Sequence, residues 1–357
     1  MTVSVAENTK SPFYPKNSTY IQNQSKSFIR RVGQYELEIS GALTWIIIAG
    51  YLQGFEFARS CLLVSYEQAP GSYGKGIKDI YFVCFWVIVI TFARNTLMNH
   101  VCHPLAQRGG MHSFAKRQKL AEQTSMCVYY SIFWVVGMYL MYHSPHWMNT
   151  SQYWIDYPHT LISRGMKTYY LIQVSFYIQQ TYAINVESRR KDHYAMIIHH
   201  LITGTLLVAS YYSNFTRIGN AVLCCMDLAD VLLPLAKILK YTHRNILCDI
   251  TFGLFAIVWP VTRHGFFTII VWATAVEPPQ YIDMKWEPEK EKYFTPLTQK
   301  IYLSLFMSLN IIMLYWFAMI LKVIFGVLSG KNAEDVRSDD EDNGETDHQR
   351  QTKKKKN

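Results

Sequence analysis

YAMIIHHLITGTLLVASYY, Tyr194 to Tyr212, and IGNAVLCCMDLADVLLPLA, Ile218 to Ala236, decide the fold between them. Each is a predominantly apolar block about as long as a bilayer-crossing helix needs, roughly 20 residues. Each also carries a polar pair near its centre, His199-His200 in the first block and Asp227 with Asp230 in the second. A charged group at the centre of a membrane helix costs about 2.5–3.5 kcal/mol or more, so such groups pair, face water, or mark function.

The two pairs lie at matching depth. Arg189, Arg190 and Lys191 precede the first block, and Lys237 and Lys240 follow the second. At about 1.5 Å per residue, His199 lies about 12 Å inside Lys191 and Asp230 about 10 Å inside Lys237. If the helices run antiparallel across the turn Ser213–Arg217, imidazole and carboxylate meet at one level. That level is nearer the basic end, which the positive-inside rule makes cytosolic.

Composition agrees with a membrane protein. The mean hydropathy of +0.01 hides a polarised layout, apolar blocks separated by charged loops, where a water-soluble chain would show amphipathic stripes. The net charge of +9 raises nucleic acid as a partner, but the cations cluster in loops flanking spans, where orientation rules place them, so no nucleic acid is expected. The seven cysteines are scattered through apolar runs without a CxxC and read as small core residues.

The expected architecture is an all-α polytopic membrane protein of about eight spans: Ala42–Val64, Ile80–Met98, Thr124–His143, Met166–Val186, Tyr194–Tyr212, Ile218–Ala236, Ile250–Val276 and Leu303–Leu328. The first carries Glu56 and Arg59, and Pro260 in the seventh predicts a kink. Cation-rich loops follow the second, fourth and sixth spans, which places both termini in the cytosol. The tail 329–357 reads as disordered, first acidic and then Lys-rich. Lys354 and Lys355 fit a dilysine endoplasmic-reticulum retrieval signal, and Ser338 before Asp339-Asp340-Glu341 suits an acidophilic kinase.

On a helix, adjacent histidines point about 100° apart. One faces a cavity while the other bonds laterally. Asp192 precedes His199 by two turns on nearly the same face, and Asp227 and Asp230 share a face. A carboxylate behind an imidazole fixes its tautomer and stabilises the imidazolium, as base or nucleophilic catalysis requires. The competing readings are an interhelical His–Asp hydrogen bond that serves only packing, and a metal site, for which the spans offer few ligands beyond H-x5-HH. Arg263 and His264 are candidates to hold a polar substrate group or to form an interhelical pair. Asn220 either adds a hydrogen bond at the acidic face or caps its helix.

RKDHYAMIIHHLITGTLLVASYYSNFTRIGNAVLCCMDLADVLLPLAKILKY, Arg190 to Tyr241, resembles the signature of the ceramide synthases of the TLC family, in the fungal longevity-assurance form. Trp154-x-x-Tyr157-Pro158, Ser175–Tyr177 and Thr262–His264 extend the likeness over about Lys116 to Leu328. The apolar blocks and charges divide the chain into a polar cytosolic segment 1–38 and two N-terminal helices with a basic loop in 39–115, and the resemblance implies a six-helix TLC domain in 116–328 forming a barrel around an acyl tunnel. It further implies acyl transfer from a fatty acyl-CoA, the co-substrate, to the amine of a sphingoid base in the endoplasmic-reticulum membrane. No permanently bound cofactor and no metal are expected. His199, His200, Asp227 and Asp230 would form the catalytic set, with Asp192, Asn220, Arg263, His264, Arg190, Lys191 and Lys237 as substrate-binding candidates. Partners beyond the lipid bilayer would be a second copy or a related synthase in a dimer, with room for a small single-span accessory subunit. Alternatives in other classes are a non-catalytic TLC protein that binds lipid or assists membrane insertion, and a metal-dependent membrane amidohydrolase or hydroxylase.

Overall fold

The computed structural model describes residues 17–187 and 191–329, without the side chains of residues 17–34, 327 and 328. Helices dominate: α1 Asn17–Leu52, α2 Glu56–Leu62, α3 Lys78–Arg108, α4 Phe114–Tyr142, α5 Arg164–Val186, α6 His193–Tyr212, α7 Thr216–Tyr241, α8 Asn245–Val276 and α9 Pro296–Leu328. Five of them, α3, α4, α6, α8 and α9, are long and apolar enough to cross a membrane, so the chain is an all-α, multi-pass membrane protein.

Helix α6 shows how the pattern works. Tyr194, Ile198, Leu201, Val208 and Tyr212 lie exposed at three-, four- and seven-residue spacing, while His193, His200, Leu207 and Ser210 are buried on the opposite side. An apolar stripe that faces outward is what hydrocarbon solvent selects. Helices α5 and α7 are less apolar because they are interior. Lys167, Gln173, Gln179 and Gln180 on α5 and Asn220 and Asp227 on α7 are all buried, where protein groups replace water as their partners.

The interior helices approach closely where side chains are small. A Cβ on Gly219 would stand 1.9 Å from the Tyr170 hydroxyl, and one on Gly137 would stand 2.6 Å from that of Tyr169. A side chain at either position would force the facing tyrosine to shift. Trp134 Nε1 donates to the Cys224 carbonyl at 3.2 Å across the α4–α7 contact.

The structure departs from sequence expectation in three places. Ala42–Val64 is not one helix: α1 stops at Leu52, Gly54 adopts φ +84°, and α2 restarts at Glu56. A left-handed residue ends a helix, and glycine adopts it without steric cost. Glu56 and Arg59 form no ion pair among the described residues. Three short strands, β1 Glu67–Ala69, β2 Ser72–Tyr73 and β3 Ile162–Ser163, pair antiparallel at one end of the bundle. Lys167 holds that end: it is fully buried, pairs with Asp79 at 2.8 Å and donates to the carbonyls of Ser65 and Gly74. Finally, Pro260 is followed by a π-helical segment, Val261–Phe266. Proline has no N–H to donate into the preceding turn, and one inserted residue re-aims the side chains that follow.

The end of the bundle remote from Lys191 and Lys237 is capped by two connections. Trp154 Nε1 and Thr150 Oγ1 donate to the Glu277 carboxylate at 3.0 and 2.6 Å. Tyr157 donates to the Ser213 carbonyl and accepts from the Tyr293 amide, both at 3.1 Å. Asn214 is fully buried and donates to the Glu291 carbonyl at 2.9 Å.

Candidate active site

Helices α6 and α7 are joined by residues 213–215 and so run antiparallel. His199 and His200 sit on α6, Asp227 and Asp230 on α7. The π segment of α8 brings Arg263 in beside them, with its side chain 3% exposed. Arg263 pairs with Asp230 at 2.7 Å, donates to the Met226 carbonyl at 2.8 Å, and lies 4.0 Å over the Trp259 ring.

The acids take partners other than the histidines. Asp230 is bound to Arg263, and Asp227 accepts a hydrogen bond from Gln173 Nε2 at 3.1 Å. Neither histidine ring is hydrogen-bonded to either aspartate among the described residues. A sequence-derived pairing of imidazole with carboxylate is thus replaced by a cluster. His199 packs 5.2 Å from the Trp316 ring and 5.4 Å from the His200 ring; His200 packs 5.6 Å from the Tyr177 ring. His200 is 4% exposed, and among the described residues both of its ring nitrogens, like Nδ1 of His199, are buried without a hydrogen-bond partner. Buried polar atoms are rarely left in this state, and each calls for an explanation such as catalytic use.

Two cavities meet at this cluster. The first is lined mainly by apolar side chains and reaches Trp154, Phe294 and Tyr302 at the capped end; its empty space, with the open solvent at its edge, is about 740 Å³. The second, about 650 Å³ counted in the same way, reaches Asp192 and Lys237 near the opposite, basic end. His199, Asp230 and Arg263 line both. His200 lines only the second. An apolar chamber joined to a polar mouth through an imidazole, a carboxylate and a guanidinium suits an amphiphile whose reactive group lies between tail and head.

The remaining candidates divide. Asp192 joins the site: it is buried, lines the second cavity and accepts from Trp316 Nε1 at 3.2 Å. Lys237 lines the same mouth. Asn220 does not join, since it accepts from His146 Nε2 at 3.0 Å and donates to the Gly137 carbonyl at 3.3 Å, in the α4–α7 contact. His264 borders neither cavity and packs 5.4 Å from the Phe317 ring. Lys191 is exposed and also borders neither. Arg190, Ser338, Lys354 and Lys355 lie outside the described residues. No group of three or more His, Cys, Asp or Glu side chains is arranged to hold a metal ion among the described residues.

Sequence reasoning missed Trp316, Trp259, Tyr177, Gln173 and Thr203. Tyr177 and Thr203 carried a signal, one in the Ser175–Tyr177 motif and the other one turn beyond the histidine pair. Trp316 and Trp259 carried none, because an aromatic residue in an apolar span does not break its pattern.

Residues 119–322 match the family model of the TLC domain. This chain belongs to the TLC-domain family. It is 37% identical over 286 residues to sphingosine N-acyltransferase lag1 of Schizosaccharomyces pombe, covering 80% of this chain and 73% of that protein. It is 31% identical over 280 residues to ceramide synthase LAG1 of Saccharomyces cerevisiae, covering 77% and 68%. Ceramide synthase FUM18 of Gibberella moniliformis is 32% identical over 320 residues, covering 82% and 75%. The TLC domain thus comprises α4 to α9 almost entirely, and the histidine–aspartate–arginine cluster lies within it.

Proposed function

We propose that this TLC protein is a ceramide synthase, transferring a fatty acyl group from acyl-CoA to the amine of a sphingoid base. The observation that carries the reading is the position of His199 at the junction of an apolar chamber and a polar mouth. The acyl tail occupies the apolar chamber, and the CoA head stays at the mouth near Lys237, where a cation meets phosphate. The thioester then lies against His199 and Arg263.

A ring nitrogen of His199 attacks the thioester carbon, the C–S bond breaks, and CoA leaves as the thiolate. The Arg263 guanidinium, fixed by Asp230, faces the oxygen on which charge develops, and fixed donors in a dry site are effective there. The sphingoid ammonium gives one proton to the neighbouring His200, the neutral amine attacks the acyl-imidazole, the amide C–N bond forms, and the His199 imidazole departs as it takes up the second amine proton. The apolar lining of the chamber disfavours water beside the acyl-imidazole. Direct attack of the amine on the thioester, with histidine as base, is the alternative order.

In this account α1 is the first of eight spans, α4 to α9 form the barrel, both termini are cytosolic, and the protein works in the endoplasmic reticulum as a homo- or heterodimer with an optional single-span accessory subunit. The histidine pair disfavours a purely lipid-binding TLC protein, since lipid binding alone does not need unpartnered buried imidazoles. Purified protein given mixed acyl-CoAs and a sphingoid base should yield ceramides by mass spectrometry. Absence of any N-acyl product from folded protein would reject the assignment.

A further inference from the structure

A reaction with two amphiphilic substrates must bring the second to the site while the first still fills its chamber. Beyond the second cavity lies another, between α3, α4, α5 and the start of α6. It shares Met126 and Met196 with the second cavity, and those two side chains form the partition between them. On its other side it shares Arg94, Glu122 and Glu187 with a large groove of about 1940 Å³, which also reaches Glu36 and Glu38 of α1. Three cavities thus lie in a row from the histidine site to the outer groove, and Lys237 lines only the innermost of them.

The chemistry of this row differs from that of the CoA mouth. Carboxylates outnumber guanidiniums in the lining, Glu36, Glu38, Glu122 and Glu187 against Arg94 and Arg117, with His100 and His103 at the outer groove; Glu122 is 9% exposed and accepts from Gln118 Nε2 at 3.0 Å, and Glu187 is ion-paired with Arg94. Gln180 and the buried His193 add polar contacts, and Ile184 with the two methionines adds apolar ones. A CoA head, carrying phosphates, is disfavoured by such a lining, whereas an ammonium is favoured. The row ends on the face of the site that holds His200, whose unpartnered nitrogens border the second cavity and not the acyl chamber. Methionine is unbranched and flexible, which suits a partition that must yield to a passing chain.

We propose that the amine acceptor, a protonated long-chain amine, reaches His200 through this acidic side passage, with Glu122 as its ammonium-binding residue and Met126 and Met196 as the gate. The proposal rests on the ceramide synthase reading. It is tested on the full-length enzyme in detergent, with sphinganine and palmitoyl-CoA as probes, by measuring both KM values in Met126→Trp and Glu122→Gln. Narrowing the gate should raise the KM for sphinganine about tenfold or more, while the KM for palmitoyl-CoA stays within about twofold. Glu122→Gln should act in the same direction without added bulk, and Glu122→Asp should recover part of the loss. An unchanged sphinganine KM in folded Met126→Trp, or equal rises in both KM values in Glu122→Gln, would overturn the passage. Failure of the unmodified enzyme to form any ceramide would instead overturn the functional reading, so the two failures are distinct.

Discussion

At the scale of single residues, the site is legible where polarity breaks an apolar run and hidden where it does not. His199, His200, Asp227 and Asp230 stand out because each interrupts a span. Their partners do not follow from the same reading. Spacing shows that acids and imidazoles can share a level, yet it cannot show that Arg263, from a third helix, takes Asp230. Arg263 is almost fully buried while the Asp230 side chain is 29% exposed, so breaking the pair should cost less than the about 3–5 kcal/mol of a fully buried one. Arg263→Met should therefore lower stability measurably, and adding Asp230→Asn should recover part of the loss. Thermal aggregation in detergent measures both, and strictly additive effects would show that the two side chains do not depend on each other. Asp227 tests whether catalysis and stability separate. Its carboxylate is held by Gln173 and borders neither cavity, so Gln173→Leu should disturb folding more than the KM of either substrate.

At the scale of elements, long helices were readable and short devices were not. The apolar period of α6 spans its whole length. The break at Gly54 and the strands β1 to β3 involve two or three residues each, too few for any period to emerge. Helix α4 begins ten residues before the expected third span, because Phe114–Gln123 continues the helix beyond the apolar block. Proline 260 marked a disturbance in the seventh span but not its form, a π turn that carries Arg263. Gly219→Ala tests how tightly the elements fit. Its Cβ would fall 1.9 Å from the Tyr170 hydroxyl, and overpacking of this kind costs about 1–3 kcal/mol. A melting temperature equal to that of the unmodified protein would mean that α5 and α7 can separate freely.

At the scale of the whole molecule, the cap formed by Trp154, Glu277 and Phe294 closes the apolar chamber opposite the mouth. Exchanging the segment Glu277–Pro296 together with the adjoining ends of α8 and α9 for that of a relative should change which acyl-CoAs are used and leave the transfer chemistry intact. An identical chain-length distribution would place the ruler elsewhere. Exhaustive chelation should leave activity unchanged, since acyl transfer from a thioester needs a nucleophile or base and an oxyanion donor; stoichiometric metal whose removal abolishes activity would contradict this. Deleting Lys354–Asn357 should release some protein from the endoplasmic reticulum without altering the chemistry.

The account as a whole depends on one imidazole. The direct measurement is ceramide formation by purified His199→Ala, with its fold verified by melting behaviour, against the unmodified protein. The account predicts a loss of at least about 10²–10⁴-fold with the fold intact, the scale expected for removal of a catalytic base or nucleophile. Near-normal ceramide formation by the folded variant would contradict it.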